Sequence, residues 1–402
     1  MTTPLDADAA ALLGRWQSDS PGPVHEQPLE QSRNSGLLTP EVTGQAPELW
    51  SVDDTMVDAV PVRIYRPSPS HDLPVLVYAH GGGWTLLSID SADVLCRHLA
   101  DGATCVVVSV GYRLAPEHPF PAAFDDVSTV AAWVARGGLG WNPPRLGLGG
   151  DSAGGNLSAA VSTHARDTDT MRIDFQLLLY PALGTDLDRP SNRALGPDAR
   201  FRLSRETMEW FWSNYLGGAL TSDDPRAVPM ATADFAGLPR TLVVTAGFDP
   251  LKDDGTAYGA ALAAAGVDVE HFEASSLPHG FAMMLGAVPA ARAAFSHVVG
   301  RVRAGLHPLP PLAAEFRARP FGRHSEDLQM LLHQMRSQPM SGKHFLFMAD
   351  SQREWVLGRY SAGPPYEPIV DWDVTFHDLE SAEWHVFKRR WADLFAEELS
   401  DG

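Results

Sequence analysis

Cysteine is nearly absent from this chain: there are two in 402 residues, Cys96 and Cys105. Both lie in apolar stretches and lack the Cys-x-x-Cys spacing of metal sites. That excludes a disulfide framework and a thiolate centre as expectations and leaves two buried, reduced thiols. Positive charge is also scarce, with 31 Lys and Arg against 50 Asp and Glu and a formal net charge of −19. Such a surface repels phosphate backbones and anionic lipid, so neither nucleic acid nor a membrane is an expected partner. No run of about 18 apolar residues is there to span a bilayer. The acidic start "MTTPLDADAA" has neither the basic residues nor the apolar core of a secretory signal. The expected compartment is the cytoplasm. What the chain does have is length and a hydrophobic content of 44%, enough for one large domain plus an appendage.

Residues 1–50 are polar and broken by Pro and Gly, as in "DSPGPVHEQPLEQSRNSG". Only "DADAAALLGRWQ" reads as a helix, and disorder is expected near 18–47. From 51 to 305 the pattern changes. Short β-branched runs such as "PVLVYAH", "ATCVVVSVGY", "FQLLLYPAL" and "RTLVVTAG" alternate with helical stretches of 10–20 residues. Continuous apolar strands between helices predict an α/β fold, a mostly parallel sheet covered on both faces. An insertion at about 185–235, carrying "RETMEWFWSNYLGG", predicts a helical cap over the sheet's C-terminal edge. A Pro-rich linker, "LHPLPPLA", follows at 306–312. Residues 313–402 read as a small, mainly helical accessory domain with little strand.

The stretch "LGLGGDSAGGNLSAAVS" (Leu146–Ser162) concentrates glycine around one serine. As a dinucleotide loop it fails, because Ser152 stands where the third glycine belongs; as a phosphate loop it lacks lysine. It fits G-x-S-x-G, with Ser152 between Gly150 and Gly154 on a strand-to-helix turn where side chains would strike the neighbouring strand and helix. Taken alone, a Gly-rich turn with a structural serine fits as well. A second feature, "HGGGW" (His80–Trp84), directly follows an apolar strand. Its glycines leave backbone N–H groups bare, as an oxyanion hole requires, with Ala153 supplying another N–H. A nucleophilic serine needs a base and an orienting carboxylate. Of seven histidines between 152 and 333, His279 stands out in the Pro/Gly-punctuated "LPHGF". His271 lies inside a strand-like run and reads as structural or exposed. Asp249 directly follows "RTLVVTAG", whereas Asp253 and Asp254 lie near a helix start and read as caps.

Together, "HGGGW", "YRLAPEHPFPAAFDD", "GDSAGGN", "LLLYPAL", "DPLKDDG" and "HGF", in this order, make residues about 55–300 resemble the hormone-sensitive-lipase family of α/β-hydrolases, the bacterial type IV esterases. The resemblance implies the α/β-hydrolase fold, Ser152 as nucleophile, His279 as base and Asp249 as acid. The choice of Asp249 over Asp253 rests on it. It also implies an oxyanion hole from Gly82, Gly83 and Ala153, and a cap built from the N-terminal arm and the insertion. The chain departs from the family by carrying Trp84 where Phe is usual. With Trp210, Phe211 and Tyr215 it makes a candidate substrate pocket for a bulky or planar group; the alternative is that these rings pack the cap onto the core. The extension, through "HSEDLQMLLHQMRSQPMSGKHF" and "ESAEWHVFKRRWADLF", is similar to the small subunit of bacterial N,N-dimethylformamidase, which is helical and accompanies a separate iron-bearing subunit. No iron ligand set is evident here, so no metal and no cofactor are expected. The likeness implies packing on the catalytic domain or on a neighbouring protomer, and the alternative is that the extension covers the active site and shapes the substrate; a homo-oligomer is the expected state. The expected activity is hydrolysis of a small to medium, aromatic-tolerant carboxylic ester through an acyl-enzyme. An amidase or acyltransferase using the same triad remains open at this stage.

Overall fold

A computed structural model describes residues 3–20, 22–33, 38–307, 310–349, 354–395 and 398–399. The β-branched runs become strands β1 (Ser51–Val57), β2 (Val60–Arg66), β3 (Val75–Ala79), β4 (Val106–Val110), β5 (Leu146–Asp151), β6 (Phe175–Leu179), β7 (Arg240–Phe248) and β8 (Val269–Pro278). They form one eight-stranded sheet in the order β1-β2-β4-β3-β5-β6-β7-β8. The β1–β2 and β2–β4 pairs are antiparallel and all the others parallel.

The first unit's helices are α1 (Ala7–Asp19), α2 (Leu29–Arg33), α3 (Pro40–Thr43), α4 (Asp93–Ala103), α5 (Ala122–Ala135), α6 (Ala153–Thr168), α7 (Pro190–Leu195), α8 (Arg205–Tyr215), α9 (Lys252–Ala264) and α10 (Pro289–Leu306). Strand alternation divides the core between two faces. Leu76 and Tyr78 meet Leu99 of α4 and Val298 of α10 on one side. Val75 and Val77 meet Val127 of α5 and Leu157 of α6 on the other. Strand order reverses at β3, which is flanked by β4 and β5, so the loops leaving β3 and β5 emerge side by side with Ala79 paired to Gly150. A crevice forms at such a switch point, where loops run to opposite faces.

The arm differs from expectation. Asp6 caps α1 by accepting from the N–H groups of Asp8 and Ala9, and α1 buries Ala9, Leu12 and Leu13. The His25 Nδ1 lies 2.9 Å from Thr207 Oγ1 at the start of α8. Arg33 donates to the Thr85 carbonyl at 2.9 Å and forms a two-pronged ion pair with Glu117. Disorder is therefore not what the described part of 18–47 displays; residues 21 and 34–37 of that span lie outside the described residues. These tethers run to positions 52 to 182 residues away, which local polarity cannot reveal.

The chain divides into two compact units, Met1–Leu306 and His307–Gly402. Residues 308–309 of the Pro-rich stretch lie outside the described ones. The second unit holds α11 (Pro311–Ala318), α12 (Glu326–Ser337), β9 (His344–Met348), β10 (Trp355–Tyr360), β11 (Pro368–Phe376) and α13 (Leu379–Phe395). Its own core gathers Phe316, Leu328, Met335, Trp384 and Phe387. The helices match the expected character. The antiparallel sheet β11-β10-β9 does not, and corrects the expectation of little strand. Strand preference depends on cross-strand partners more than on intrinsic propensity, and the pairing of "WVLGRY" with "PIVDWDVTF" is not visible in either segment alone. Among the described residues, no helix is long and apolar enough to cross a membrane.

Candidate active site

Ser152 sits between β5 and α6 at φ 53°, ψ −116°, a conformation that L-residues avoid at a cost of about 1–3 kcal/mol. The turn closes tightly enough to explain its glycines. A Cβ on Gly154 would come within 1.9 Å of the Ala79 carbonyl oxygen, and one on Gly150 within 2.3 Å of the Gly154 carbonyl carbon. The elbow is fastened by the Ser152 N–H donating to Leu179 at 2.8 Å, and by its carbonyl accepting from Asn156 and Ala182.

The Ser152 Oγ lies 3.1 Å from His279 Nε2, and His279 Nδ1 lies 2.8 Å from Asp249 Oδ2. A carboxylate only accepts, so Nδ1 carries the proton and Nε2 is left to accept from the serine hydroxyl. Asp249 is fully buried, and its other oxygen accepts from the Leu251 N–H at 2.8 Å. Tyr180 packs edge-on against the His279 ring, 4.8 Å between centroids. The end of β7 is drawn against β8 by a register shift between Ala246 and Phe248, after which Phe248 pairs with Pro278. A Cβ on Gly247 would lie 1.9 Å from the Ser275 carbonyl oxygen, so this approach requires glycine. Asp249 and His279 each follow directly on that pair.

Asp253 and Asp254 prove not to be N-caps of α9, which correct the reading as caps: both fall in its first turn. Asp253 accepts from the Ser191 N–H, and the buried Asp254 accepts from Leu183 and Gly184 and pairs with Arg189. They tie the inserted segment down. His271 belongs to β8, its Nε2 2.9 Å from Thr245 Oγ1.

The "HGGGW" turn is held from beneath. Asp151, just before the serine, accepts from both Tyr78 Oη at 2.8 Å and the Gly81 N–H at 2.9 Å. Burial pushes the Asp151 carboxyl up to about 6. Tyr112 stacks on His80 and donates to its carbonyl at 2.7 Å. Burial also pushes His80 down to about 4, keeping it neutral. With Gly81 so occupied, the N–H groups of Gly82, Gly83 and Ala153 have no acceptor among the described residues. Asp151, Tyr78, Tyr112 and Gly247 were not among the residues singled out in the sequence. Asp151, in "GDSAGGN", and Tyr112, at the start of "YRLAPEHPFPAAFDD", lay inside motifs that carried a local signal.

The candidate pocket rings separate into two groups. Trp84 is buried and stacks on Tyr215 at 4.3 Å, with Trp212 tilted against it at 4.5 Å. Phe211 instead covers the glycine turn: a Cβ on Gly83 would come within 2.0 Å of its ring. Trp210 is half-buried beside Phe211.

Geometry of this kind, at the switch point of a largely parallel sheet, defines a serine hydrolase of the α/β class. The family model described as alpha/beta hydrolase fold matches residues 76–283, and a second, N,N-dimethylformamidase alpha subunit, matches 297–400. Carboxylesterase NlhH of Mycobacterium tuberculosis is 42% identical over 254 residues, covering 62% of this chain and 79% of that protein. Ethyl acetate hydrolase of Pseudomonas putida is 33% identical over 303 residues, covering 71% and 93%. A thermostable esterase from Pseudomonas putida ECU1011 superposes with a TM-score of 0.70 at 29% identity, over 76% of this chain and 99% of that one. The chain belongs to the α/β-hydrolase family, in its hormone-sensitive-lipase branch, and is a carboxylic ester hydrolase.

Proposed function

We propose that the protein cleaves esters of small to medium acyl and alcohol groups through an acyl-enzyme on Ser152. The Oγ attacks the carbonyl carbon as His279 Nε2 takes its proton. The oxyanion is met by the N–H groups of Gly82, Gly83 and Ala153. On collapse His279 returns the proton to the departing alkoxide oxygen. Water, deprotonated by the same nitrogen, then releases the acid and restores the serine. Asp249 holds the imidazole in the required tautomer and stabilises its cationic form. Each oxyanion donor is worth about 3–4 kcal/mol in the transition state.

The observation that supports these roles is the unbroken line Asp249–His279–Ser152 beside three N–H groups without acceptors among the described residues. A fluorophosphonate probe should label the wild type and not Ser152→Ala, and the variant should lose at least about 10⁴-fold in kcat on 4-nitrophenyl acetate. Equal labelling of both would overturn the assignment. The exposed Phe347 and Trp372 rings, in edge-on contact on the C-terminal sheet, support a homo-oligomer formed through that unit, which light scattering would read.

A further inference from the structure

Arg202 is anomalous. Among the described residues it is the one half-buried arginine that has no hydrogen-bond or ion-pair partner. Comparable arginines are all engaged: Arg33 with Glu117, Arg189 with Asp254, Arg301 with Glu270, and Arg390 with the His344 carbonyl. The Arg202 Nη1 is buried without an acceptor, while Nε and Nη2 are neither bonded nor sealed from solvent. The guanidinium thus has one covered edge and one open edge. Burial opposes its charge, and no neighbouring charge offsets that cost. Although the chain has 50 acidic side chains, none among the described residues meets this cation.

Its place in the chain ties it to the catalytic crevice. The preceding Phe201 stacks on Phe248, which adjoins Asp249 and pairs with Pro278 beside His279. Two residues later Ser204 caps α8, whose Phe211 covers Gly83. The segment from 201 to 211 therefore runs from the acid–base side of the crevice to the glycine turn, and Arg202 stands at its bend, at φ 60°.

We infer that Arg202 is a specificity-determining residue that pairs with a carboxylate on the substrate, so that the preferred substrates are esters bearing a free carboxylate. This rests on the esterase reading above. The open edge of the guanidinium, Nε and Nη2, offers parallel N–H donors matched to a carboxylate, and a pairing that offsets an otherwise unpaired, largely buried charge discriminates against substrates lacking the group.

The test compares kcat/KM within matched pairs. Mono-4-nitrophenyl glutarate against 4-nitrophenyl valerate puts the charge on the acyl side. 3-Butyryloxybenzoate against 3-methylphenyl butyrate puts it on the alcohol side. In the wild type, at least one carboxylate ester should match or exceed its neutral partner despite the net negative surface. Arg202→Gln should lower that charged-to-neutral ratio about 10–100-fold, the worth of one charge-assisted hydrogen bond, and Arg202→Lys should recover part of it. An unchanged ratio in Arg202→Gln for both pairs overturns the inference. So does a wild type that disfavours both carboxylate esters tenfold or more, which needs no variant to fold. Esters turned over through Ser152 with a charged-to-neutral ratio independent of Arg202 would remove this inference alone. No Ser152-dependent turnover of any ester would remove the parent reading with it.

Discussion

At the scale of single residues, Asp151 shows how one side chain serves two neighbours of the site. It precedes the nucleophile in sequence and anchors the glycine turn through the Gly81 N–H. Its surroundings are weakly polar: Tyr78, Cys96, Tyr112 and Tyr180 face it, with His279 the nearby basic group. Folding moves its carboxyl from 3.8 up to about 6, because burial opposes the charge more than its two hydrogen bonds favour it. The fold therefore prefers the neutral acid. The stability this group contributes is complete below about pH 4 and is lost as pH rises through 6, a change of about 3 kcal/mol. Asp151→Asn keeps an acceptor for Gly81 and has no charge to bury. Urea unfolding of both proteins from pH 4 to pH 8 should show the variant gaining on the wild type by roughly that amount. Parallel pH dependences would contradict it.

At the scale of elements, α8 and the glycine turn act as one wall. Phe211 rests where a Gly83 side chain would be, and Gly83 itself has φ 58°. Gly83→Ala should push the turn out of register with the developing oxyanion and lower kcat/KM about 10²-fold. Phe211→Ala opens space at the same spot. The double variant should therefore recover part of the loss, a coupling read from a double-mutant cycle of kcat/KM values. Simple additivity would mean that the two do not meet in solution. Phe211→Ala alone should raise the rate on longer acyl chains relative to acetate in a chain-length series. The buried Trp84–Tyr215 stack is a packing feature beneath this wall, and Tyr215→Ala should cost about 3–5 kcal/mol in stability by thermal unfolding.

At the scale of the whole molecule, each unit has its own buried core: Leu76, Val298 and Leu306 belong to one, and Phe316, Met335 and Trp384 to the other. A core of its own lets a domain fold alone. A chain ending at Leu306 should keep kcat/KM on 4-nitrophenyl butyrate within about threefold of the full chain. A loss beyond tenfold would mean that residues 307–402 contribute to ester cleavage.

Much of this organisation was legible because the chemistry leaves few alternatives. A serine hydrolase elbow requires glycine on both sides of Ser152, and bare N–H groups require glycine after His80. A two-sided parallel sheet requires uninterrupted apolar strands. Those are local demands, and local sequence states them. Which carboxylate meets His279 is a different matter. Asp249 and Asp254 lie five residues apart and are equally acidic in the sequence. The bulge at Gly247 delivers the first to the histidine, while the backbone of Leu183 and Gly184 occupies the second. The same holds for the arm, pinned by Arg33 and His25 to distant partners, and for the antiparallel sheet of the second unit. The unpaired state of Arg202 could not be read at all, since it is defined by what the other chain segments fail to bring near it. Sequence by itself determined the fold and narrowed the groups proposed to react to a few side chains. The tertiary structure decided which of several like side chains is paired, buried or left free, because those properties depend on contacts between segments far apart in the chain.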